Sequence, residues 1–209
     1  MIQTIIFDLD GTLLDTKEFI FQAFEHVFKT FNLTNLSRAN IDSVMGVPLE
    51  EGYEILVPEL DRDQLCVVHR AFQTENMSLV QPFKNTIQTL EKLQSVGIKM
   101  AVVSTRKKTG MKSLSHVGIT QYFDCLITGD DVENFKPDPE GIHKALAYLK
   151  SSATSAIMVG DSIVDVQAGK NAKTATAAVT YGLGSRKSLE ESQADYILQD
   201  ISEVFSILR

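Results

Sequence analysis

Five short apolar segments along the chain have the length and composition of buried β-strands. They cover residues 4–9, 98–104, 124–128, 155–160 and 175–180. After residue 84, these segments alternate with stretches in which apolar residues recur at helical spacing. Such alternation is typical of parallel strands joined by crossover helices, so we predict an α/β fold with a parallel sheet and helices on both faces.

The pattern is different between residues 15 and 82, where helical spacing replaces the strands. The apolar residues that recur there are Phe19, Ala23, Val27, Phe31, Ile55, Leu65, Val68 and Phe72. Glycine and proline at residues 46–48, 58 and 82 divide the stretch into separate helices. We therefore predict an all-helical domain at residues 15–82, inserted into an α/β domain formed by residues 1–14 and 83–209.

Composition and charge limit the classes of partner. The chain has 209 residues, 44% of them hydrophobic, and a formal net charge of −7. No apolar run approaches the roughly 20 residues that a membrane span needs, and an acidic protein is a poor ligand for a nucleic-acid backbone. The first strand starts too early for a signal peptide, so we expect a cytoplasmic location. Cys66 and Cys125 lack metal-ligand spacing, so we expect both to be reduced thiols. No pattern indicates an oligomeric state.

Two carboxylates at the end of the first strand give the strongest chemical signal. Side chains two residues apart on a strand point the same way, so Asp8 and Asp10 are expected to face one site. Gly11 allows the chain to turn at once and to present backbone N–H groups that could bind an anion of the substrate. A turn needs only one aspartate, and the second adds like-charge repulsion that a cation or a raised pKa must offset.

A second pair of acidic residues follows the strand predicted at residues 155–160. Asp161 comes directly after that strand, and Asp165 lies one helical turn further on. Sites in open α/β sheets form beyond the carboxyl ends of the strands, so the two pairs are expected to meet. Their oxygens suit Mg²⁺, with Asp161 as a direct ligand. Asp165 could act through a water molecule, orient a neighbour, or only cap a helix.

Two further segments match this site in order and spacing. Ser104 and Thr105 lie at the end of the strand predicted at residues 98–104, and Lys136 precedes a proline-rich turn. Singly, such residues are usually helix caps or surface charges. Together with the carboxylates, they resemble the four motifs of the haloacid dehalogenase superfamily of phosphatases, over essentially the whole chain. The groups that the chain most resembles are the phosphoglycolate phosphatases and the bacterial cytoplasmic pyrophosphatases.

This resemblance implies a Rossmann-like catalytic core, a helical cap formed by residues 15–82, and Mg²⁺-dependent phosphoryl transfer. It implies that Asp8 attacks phosphorus to form an aspartyl-phosphate, while Asp10 acts as general acid and base. The implied metal ligands are Asp8, Asp10 through its backbone carbonyl, Asp161 and, directly or through support of its neighbours, Asp165. The residues expected to bind the phosphoryl group are Ser104, Thr105, Lys136 and, at the turn, Gly11. Thr105 departs from the asparagine found in many relatives.

The expected substrate is a small phosphorylated metabolite, such as a phosphoglycolate-like phosphomonoester. The alternatives are an inorganic pyrophosphatase, a sugar-phosphate phosphatase or a β-phosphoglucomutase-like mutase, and a non-catalytic binding protein. Such a mutase carries a histidine where this chain has Ile20. A phosphonatase would need Lys17 or Lys29 as a Schiff-base lysine, and a dehalogenase would not need Asp10.

Several features leave the contacts to the substrate open. The sequence Gly-Val-Pro at residues 46–48 indicates either a loop at the substrate or a simple helix break, and hinges are expected near residues 14–16 and 80–83. A second anionic group of the substrate could be bound by Arg38, Arg62 or Arg70. The basic run at residues 106–108 is interpreted as a solvated helix start, and residues 182–184 as a flexible turn.

Overall fold

A computed structural model describes residues 1–184 and 186–208 of the chain. Its strands are β1 (Thr4–Phe7), β2 (Leu14–Asp15), β3 (Gln81–Pro82), β4 (Lys99–Val103), β5 (Cys125–Ile127), β6 (Ala156–Gly160), β7 (Ala175–Val179) and β8 (Tyr196–Leu198). Its α-helices are α1 (Lys17–Thr30), α2 (Arg38–Ser43), α3 (Leu49–Leu56), α4 (Arg62–Glu75), α5 (Thr86–Ser95), α6 (Lys108–His116), α7 (Glu140–Leu149), α8 (Ile163–Asn171) and α9 (Arg186–Glu191). Short 3₁₀ helices cover Met77–Leu79, Thr120–Tyr122, Ala153–Ser155 and Ile201–Ser206. Within the described residues, no helix combines the length and the apolar character needed to cross a membrane.

The main sheet has six parallel strands in the order β5-β4-β1-β6-β7-β8. This confirms the predicted α/β fold, and the five predicted strand segments correspond to β1, β4, β5, β6 and β7. The sixth strand, β8, is three residues long and half exposed at the sheet edge, too short to give a periodic signal. Because β1 lies between β4 and β6, the residues that follow these three strands meet at one edge of the sheet.

Alternating residues of β1 are buried on opposite faces of the sheet. Ile5 and Phe7 contribute to an apolar cluster that includes α5 and the C-terminal 3₁₀ helix, whereas Ile6 belongs to a second cluster with α7. All three side chains are fully buried. The strand is therefore held from both sides, which fixes the position of the residues directly after it.

Helices α1 to α4 form a separate apolar cluster, built around Phe24, Tyr53 and Leu65. Phe19, at the start of α1, packs instead in the cluster of the sheet. Ile55 lies in α3, as its helical spacing predicts, but its side chain is 57% exposed. Ile55 comes two positions after the buried Tyr53, about 200° further around the helix, so the two side chains lie on nearly opposite sides of α3.

The two chain segments that enter and leave the helical insertion lie side by side. Strands β2 and β3 pair in antiparallel fashion, with Leu14 opposite Pro82 and Asp15 opposite Gln81. These are the segments in which hinges are expected. The pairing means that any motion of the insertion would act on one short ribbon rather than on two independent linkers.

Candidate active site

Four motif residues converge at the edge of the sheet where β1, β4 and β6 end. Asp8, Ser104 and Asp161 each follow one of these strands, and Lys136 comes from the loop before α7. All four line one cavity of about 540 Å³. The opposite wall of the cavity is formed by residues of the helical insertion. The cavity therefore lies between the sheet and the inserted helices.

Three buried carboxylates form an acidic cluster at this edge. Asp8, Asp161 and Asp165 each place a carboxylate oxygen within 4.8 Å of the other two. Burial, together with the charges of its two neighbours, raises the pKa of Asp8 well above its usual value despite the nearby Lys136. Burial and Asp165 raise the pKa of Asp161 to about 7. Such repulsion between buried carboxylates is relieved when a cation binds among them.

Lys136 bridges two of these carboxylates. Its Nζ donates to Asp8 Oδ1 at 2.5 Å and to Asp165 Oδ1 at 2.6 Å. Burial acts to lower the pKa of Lys136, but the two carboxylates outweigh it and raise this pKa above its usual value. The other oxygen of Asp165 accepts from the backbone N–H and the hydroxyl of Ser162, which forms a capping box at the start of α8. Asp165 thus caps a helix and also holds the lysine.

The glycine-containing segment after β7 holds Asp161 in place. Asp161 Oδ2 accepts from the backbone N–H groups of Leu183 at 2.6 Å and of Gly184 at 3.3 Å. A Cβ on Gly182 would lie 2.2 Å from the carbonyl oxygen of Gly11, and one on Gly184 would lie 1.9 Å from that of Asp161. Residues 182–184 therefore have a structural role that their interpretation as a flexible turn did not include. This segment packs against the site, and its glycines permit the close approach.

Gly11 has a spatial role beyond the one expected. Its φ is +82°, and a Cβ there would lie 2.2 Å from Asp161 Oδ2. Its backbone N–H donates to the carbonyl of Leu14 at 2.9 Å, so this group is paired within the turn, and the role of Gly11 in binding an anion of the substrate stays a prediction. Only glycine allows the turn after Asp10 to pass so close to Asp161.

Asp10 lies outside the acidic cluster and pairs with Arg106. Arg106 Nη1 donates to Asp10 Oδ1 at 3.0 Å, while Nη2 donates to the carbonyl of Thr109 and to the hydroxyl of Ser113. The guanidinium also lies over the ring of Phe19, 5.2 Å from its centroid. With a side chain only 13% exposed, Arg106 is not part of a solvated run as expected. Its Nε has no hydrogen-bond partner among the described residues.

The two hydroxyl residues after β4 both line the cavity. Ser104 is buried, and its Oγ accepts from the backbone N–H of Arg106 at 3.1 Å, which leaves its own proton available to another acceptor. Thr105 is half-buried beside it. Both residues therefore lie where hydroxyl donors to a phosphoryl group are expected.

The inserted helices supply an apolar wall and a neutral histidine. The apolar side chains that line the cavity from this side include Ile20, Phe24, Val44 and Leu49. The loop at residues 46–48 also lines the cavity, so its position agrees with a loop at the substrate. His69 is buried and lies 2.9 Å from the hydroxyl of Tyr53 through Nδ1, and burial lowers its pKa to about 3, so it is uncharged.

A charged trio joins the insertion to the sheet. One oxygen of Glu50, Oε1, accepts from Arg70 Nη2 at 2.7 Å and from Lys107 Nζ at 2.6 Å. Partial burial acts to raise the pKa of Glu50, but these hydrogen bonds outweigh it and lower this pKa to about 2. All three residues line the cavity, so Lys107 is also not a purely solvated charge.

The two other candidate arginines of the insertion pair on its surface. Arg38 binds the exposed carboxylates of Glu18 and Glu25, and Arg62 binds Glu54. Of the three arginines considered from the sequence, Arg70 is thus the one found at the cavity. Sequence spacing carried no signal for this choice. Arg70 shares Glu50 with Lys107, and these two contacts of Glu50 span 20 and 57 residues of the chain.

Comparisons with known proteins agree with this architecture. The sequence model of the haloacid dehalogenase-like hydrolase family matches residues 5–179. The chain is 34% identical over 208 residues to pyrophosphatase PpaX of Halalkalibacterium halodurans, and 36% identical over 209 residues to PpaX of Oceanobacillus iheyensis. Each match covers 99% of this chain and 97% of the relative.

Solved structures have the same fold. A haloacid dehalogenase-like hydrolase from Bacteroides fragilis superposes with a TM-score of 0.87 at 28% identity, over 98% of this chain and 100% of the other. A protein from Haemophilus somnus, described as a predicted phosphoglycolate phosphatase, gives a TM-score of 0.87 at 24% identity, over 100% and 98% of the two chains. By its sequence match and its fold, the chain belongs to the haloacid dehalogenase-like hydrolases.

Proposed function

We propose that the chain is a Mg²⁺-dependent phosphatase that transfers the phosphoryl group of a small phosphorylated metabolite first to Asp8 and then to water. The observation that carries this proposal is the carboxylate of Asp8. It lies at the end of the central strand, faces the cavity, and is held 2.5 Å from the ammonium group of Lys136. An anionic nucleophile beside a fixed cation suits attack on an anionic phosphate.

The donor set of the acidic cluster fits Mg²⁺. Asp8, Asp161 and Asp165 offer carboxylate oxygens within 4.8 Å of one another, and the raised pKa values of the first two indicate a deficit of positive charge. Mg²⁺ prefers such hard oxygen ligands together with water and phosphate. When bound, it would neutralise charge between the carboxylate and the phosphoryl group and would orient the phosphoryl oxygens. We include the backbone carbonyl of Asp10 among the proposed ligands.

In the first step, a carboxylate oxygen of Asp8 forms a bond to phosphorus while the bond to the leaving oxygen breaks. Lys136 donates to the phosphoryl oxygens as negative charge redistributes, and the hydroxyls of Ser104 and Thr105 are further donors. Asp10 gives a proton to the leaving oxygen. Its Oδ1 is held by Arg106, so Oδ2 is the oxygen proposed to carry that proton.

In the second step, Asp10 accepts a proton from water as the water attacks the phosphorus of the aspartyl-phosphate. The bond between Asp8 and phosphorus breaks, which restores the carboxylate and releases inorganic phosphate. We propose that residues 15–82 act as a cap that excludes bulk water until the leaving group is held, and that the β2–β3 ribbon flexes to release the product.

Two classes of substrate have separate support. An organic phosphomonoester such as 2-phosphoglycolate is favoured by the cavity of about 540 Å³ and its apolar wall, which leave room for an organic leaving group. Inorganic pyrophosphate is favoured by the names of the relatives at 34% and 36% identity. A mutase is disfavoured because Ile20 lines the cavity at the position of the mutase histidine. Lys17 and Lys29 are exposed, which disfavours a phosphonatase.

The test is phosphate release with Mg²⁺ from p-nitrophenyl phosphate, 2-phosphoglycolate, pyrophosphate, hexose phosphates and nucleoside monophosphates. Wild-type protein and Asp8→Asn are compared at equal concentration. We expect release by the wild type, one preferred substrate, and loss of release in the variant and in the presence of a chelator. Equal release by Asp8→Asn, or no release from any compound, would contradict the proposal and favour a binding protein.

A further inference from the structure

The structure assigns to Arg70 and Lys107 a second anion subsite, which binds a negative group on the leaving side of the substrate and which Glu50 occupies when substrate is absent. This inference rests on the proposed phosphatase function and narrows its substrates to phosphate compounds with a second anionic group. The carboxylate of 2-phosphoglycolate and the second phosphate of pyrophosphate are both of this class.

The contacts of Glu50 resemble those that a bound anion would make. A single carboxylate oxygen accepts hydrogen bonds from a guanidinium at 2.7 Å and from an ammonium at 2.6 Å. The two cations come from different parts of the chain, Arg70 from α4 of the insertion and Lys107 from the residue before α6. They meet at the cavity that also contains Asp8.

Charge balance indicates why an anion would be bound here rather than elsewhere in the cavity. The other two cations that line it, Lys136 and Arg106, are already paired with carboxylates of the catalytic motifs. His69 is uncharged because burial lowers its pKa to about 3. Among the described lining residues, the trio is the group in which cations outnumber carboxylates, with two cations to one.

Exposure indicates that the contacts of Glu50 can be exchanged. The side chains of Glu50, Arg70 and Lys107 are 26%, 33% and 39% exposed, whereas those of Lys136 and Asp165 are 6% and 3% exposed. Partly solvated ion pairs contribute little net stability, so an incoming anion can replace one partner at small cost. The trio is therefore suited to release Glu50 when a doubly anionic substrate enters.

The experiment compares the ratio of kcat/KM for 2-phosphoglycolate to kcat/KM for p-nitrophenyl phosphate, and the same ratio for pyrophosphate. The variants are Arg70→Met, Lys107→Met and Glu50→Gln. The matched controls are Arg62→Met, at an exposed arginine of the same helix, and Lys108→Met, at the exposed lysine beside Lys107. The melting temperature of each variant is measured in parallel.

We expect both ratios to fall at least about tenfold in Arg70→Met and in Lys107→Met, and to rise a few-fold in Glu50→Gln, which removes the competing carboxylate. The controls should keep the wild-type ratios. A fall for only one of the two substrates would identify whether a carboxylate or a phosphate is the bound group. If Arg70→Met or Lys107→Met folds poorly, Glu50→Gln still tests the inference, because it is expected to raise the ratios.

If the trio only joins the insertion to the sheet, its variants will have changed melting temperatures but wild-type kcat/KM ratios. This result would overturn the inference. A wild-type protein that hydrolyses p-nitrophenyl phosphate but neither doubly anionic compound would overturn it as well. Absence of Mg²⁺-dependent hydrolysis of every compound in the panel by the wild type would instead contradict the proposed function, so the two failures are distinguishable.

Discussion

At the sheet end of the cavity, the side chains of Lys136 and Asp165 are 6% and 3% exposed, whereas at the opposite, insertion end those of Lys107 and Arg70 are 39% and 33% exposed. The sheet end is held by the core of the α/β domain. Asp8 and Asp161 follow buried strands, and Asp165 caps helix α8. The insertion end joins two parts of the chain through side chains that water reaches.

The difference indicates a division of roles. Buried ion pairs are costly to form and strongly destabilising to break, so the charges at the sheet end keep one arrangement. Such fixed charges suit a reaction that is the same for every phosphate compound. Exchangeable pairs at the insertion end suit recognition of groups that differ between substrates. Four changes test this division, from the largest expected effect to the smallest.

Replacing Lys136 should have the largest effect. Lys136→Met removes the cation between Asp8 and Asp165, so we expect kcat to fall by about 10²- to 10³-fold. It also leaves two buried carboxylates without their partner, which should cost about 3–5 kcal/mol of unfolding free energy without metal. Steady-state kinetics and chemical denaturation measure the two effects. Lys144→Met, at an exposed i,i+4 pair, is the control and should cost less than about 0.5 kcal/mol.

Arg106→Met tests whether the arginine positions Asp10. General acid catalysis contributes about 10²- to 10⁴-fold, and loss of orientation should remove part of it, about 10- to 10²-fold in kcat for an alkyl phosphate. The loss should be smaller for p-nitrophenyl phosphate, whose leaving group departs without a proton. The control is Lys112→Met, an exposed residue of α6. Equal losses for both substrates would contradict a role in acid catalysis.

The pH dependence of metal binding tests the charge deficit at the sheet end. The pKa of Asp161 is raised from 3.8 to about 7, so without metal its stabilising contribution is fully present below about pH 4 and is lost as pH rises through about 7. Mg²⁺ must displace this proton. We therefore expect about tenfold weaker Mg²⁺ binding at pH 6 than at pH 8 by calorimetric titration.

The control for this titration is Asp161→Asn, which has no proton to displace at that position. It should bind Mg²⁺ weakly at both values of pH. Affinity that is the same at pH 6 and pH 8 in the wild type would contradict the raised pKa of Asp161.

The smallest effect is expected inside the insertion. Tyr53→Phe removes the hydroxyl that lies 2.9 Å from His69 Nδ1 and leaves a buried nitrogen unpaired, which should cost about 1–2 kcal/mol of unfolding free energy. The melting temperature and the denaturation midpoint report this change. A loss as large as that of Lys136→Met would show that this buried pair inside the insertion is held as tightly as the charges at the sheet end.

The sequence was most informative where a feature depends on neighbours along the chain. The five parallel strands and the superfamily were predicted and are confirmed by the sheet order and the family match, and the predicted phosphatase chemistry agrees with the names of the relatives. Asp8 and Asp10 were visible because they directly follow an apolar run. Their catalytic roles, the Mg²⁺ site and the bounds of the cap remain predictions.

Features that depend on distant residues could not be predicted in the same way. The pairs of Arg106 with Asp10 and of Lys107 with Glu50 span 96 and 57 residues, so the basic run at residues 106–108 gave no sign of its partners. The packing of Gly182 and Gly184 against Asp161 depends on the space between the loop after β7 and the loop after β6. The paired N–H of Gly11 follows from the bend back to Leu14, which the sequence Asp-Gly does not specify.

The most direct test of the central claim is to trap the phosphoryl group on the protein. Wild-type protein is mixed with its best substrate and Mg²⁺, quenched with acid during turnover, and reduced with borohydride, which converts an aspartyl-phosphate into homoserine. Peptide mass spectrometry then locates the modified residue. We expect homoserine at position 8 in the wild type and none in Asp8→Asn. An unmodified Asp8 during active turnover, or homoserine at another position, would contradict Asp8 as the nucleophile.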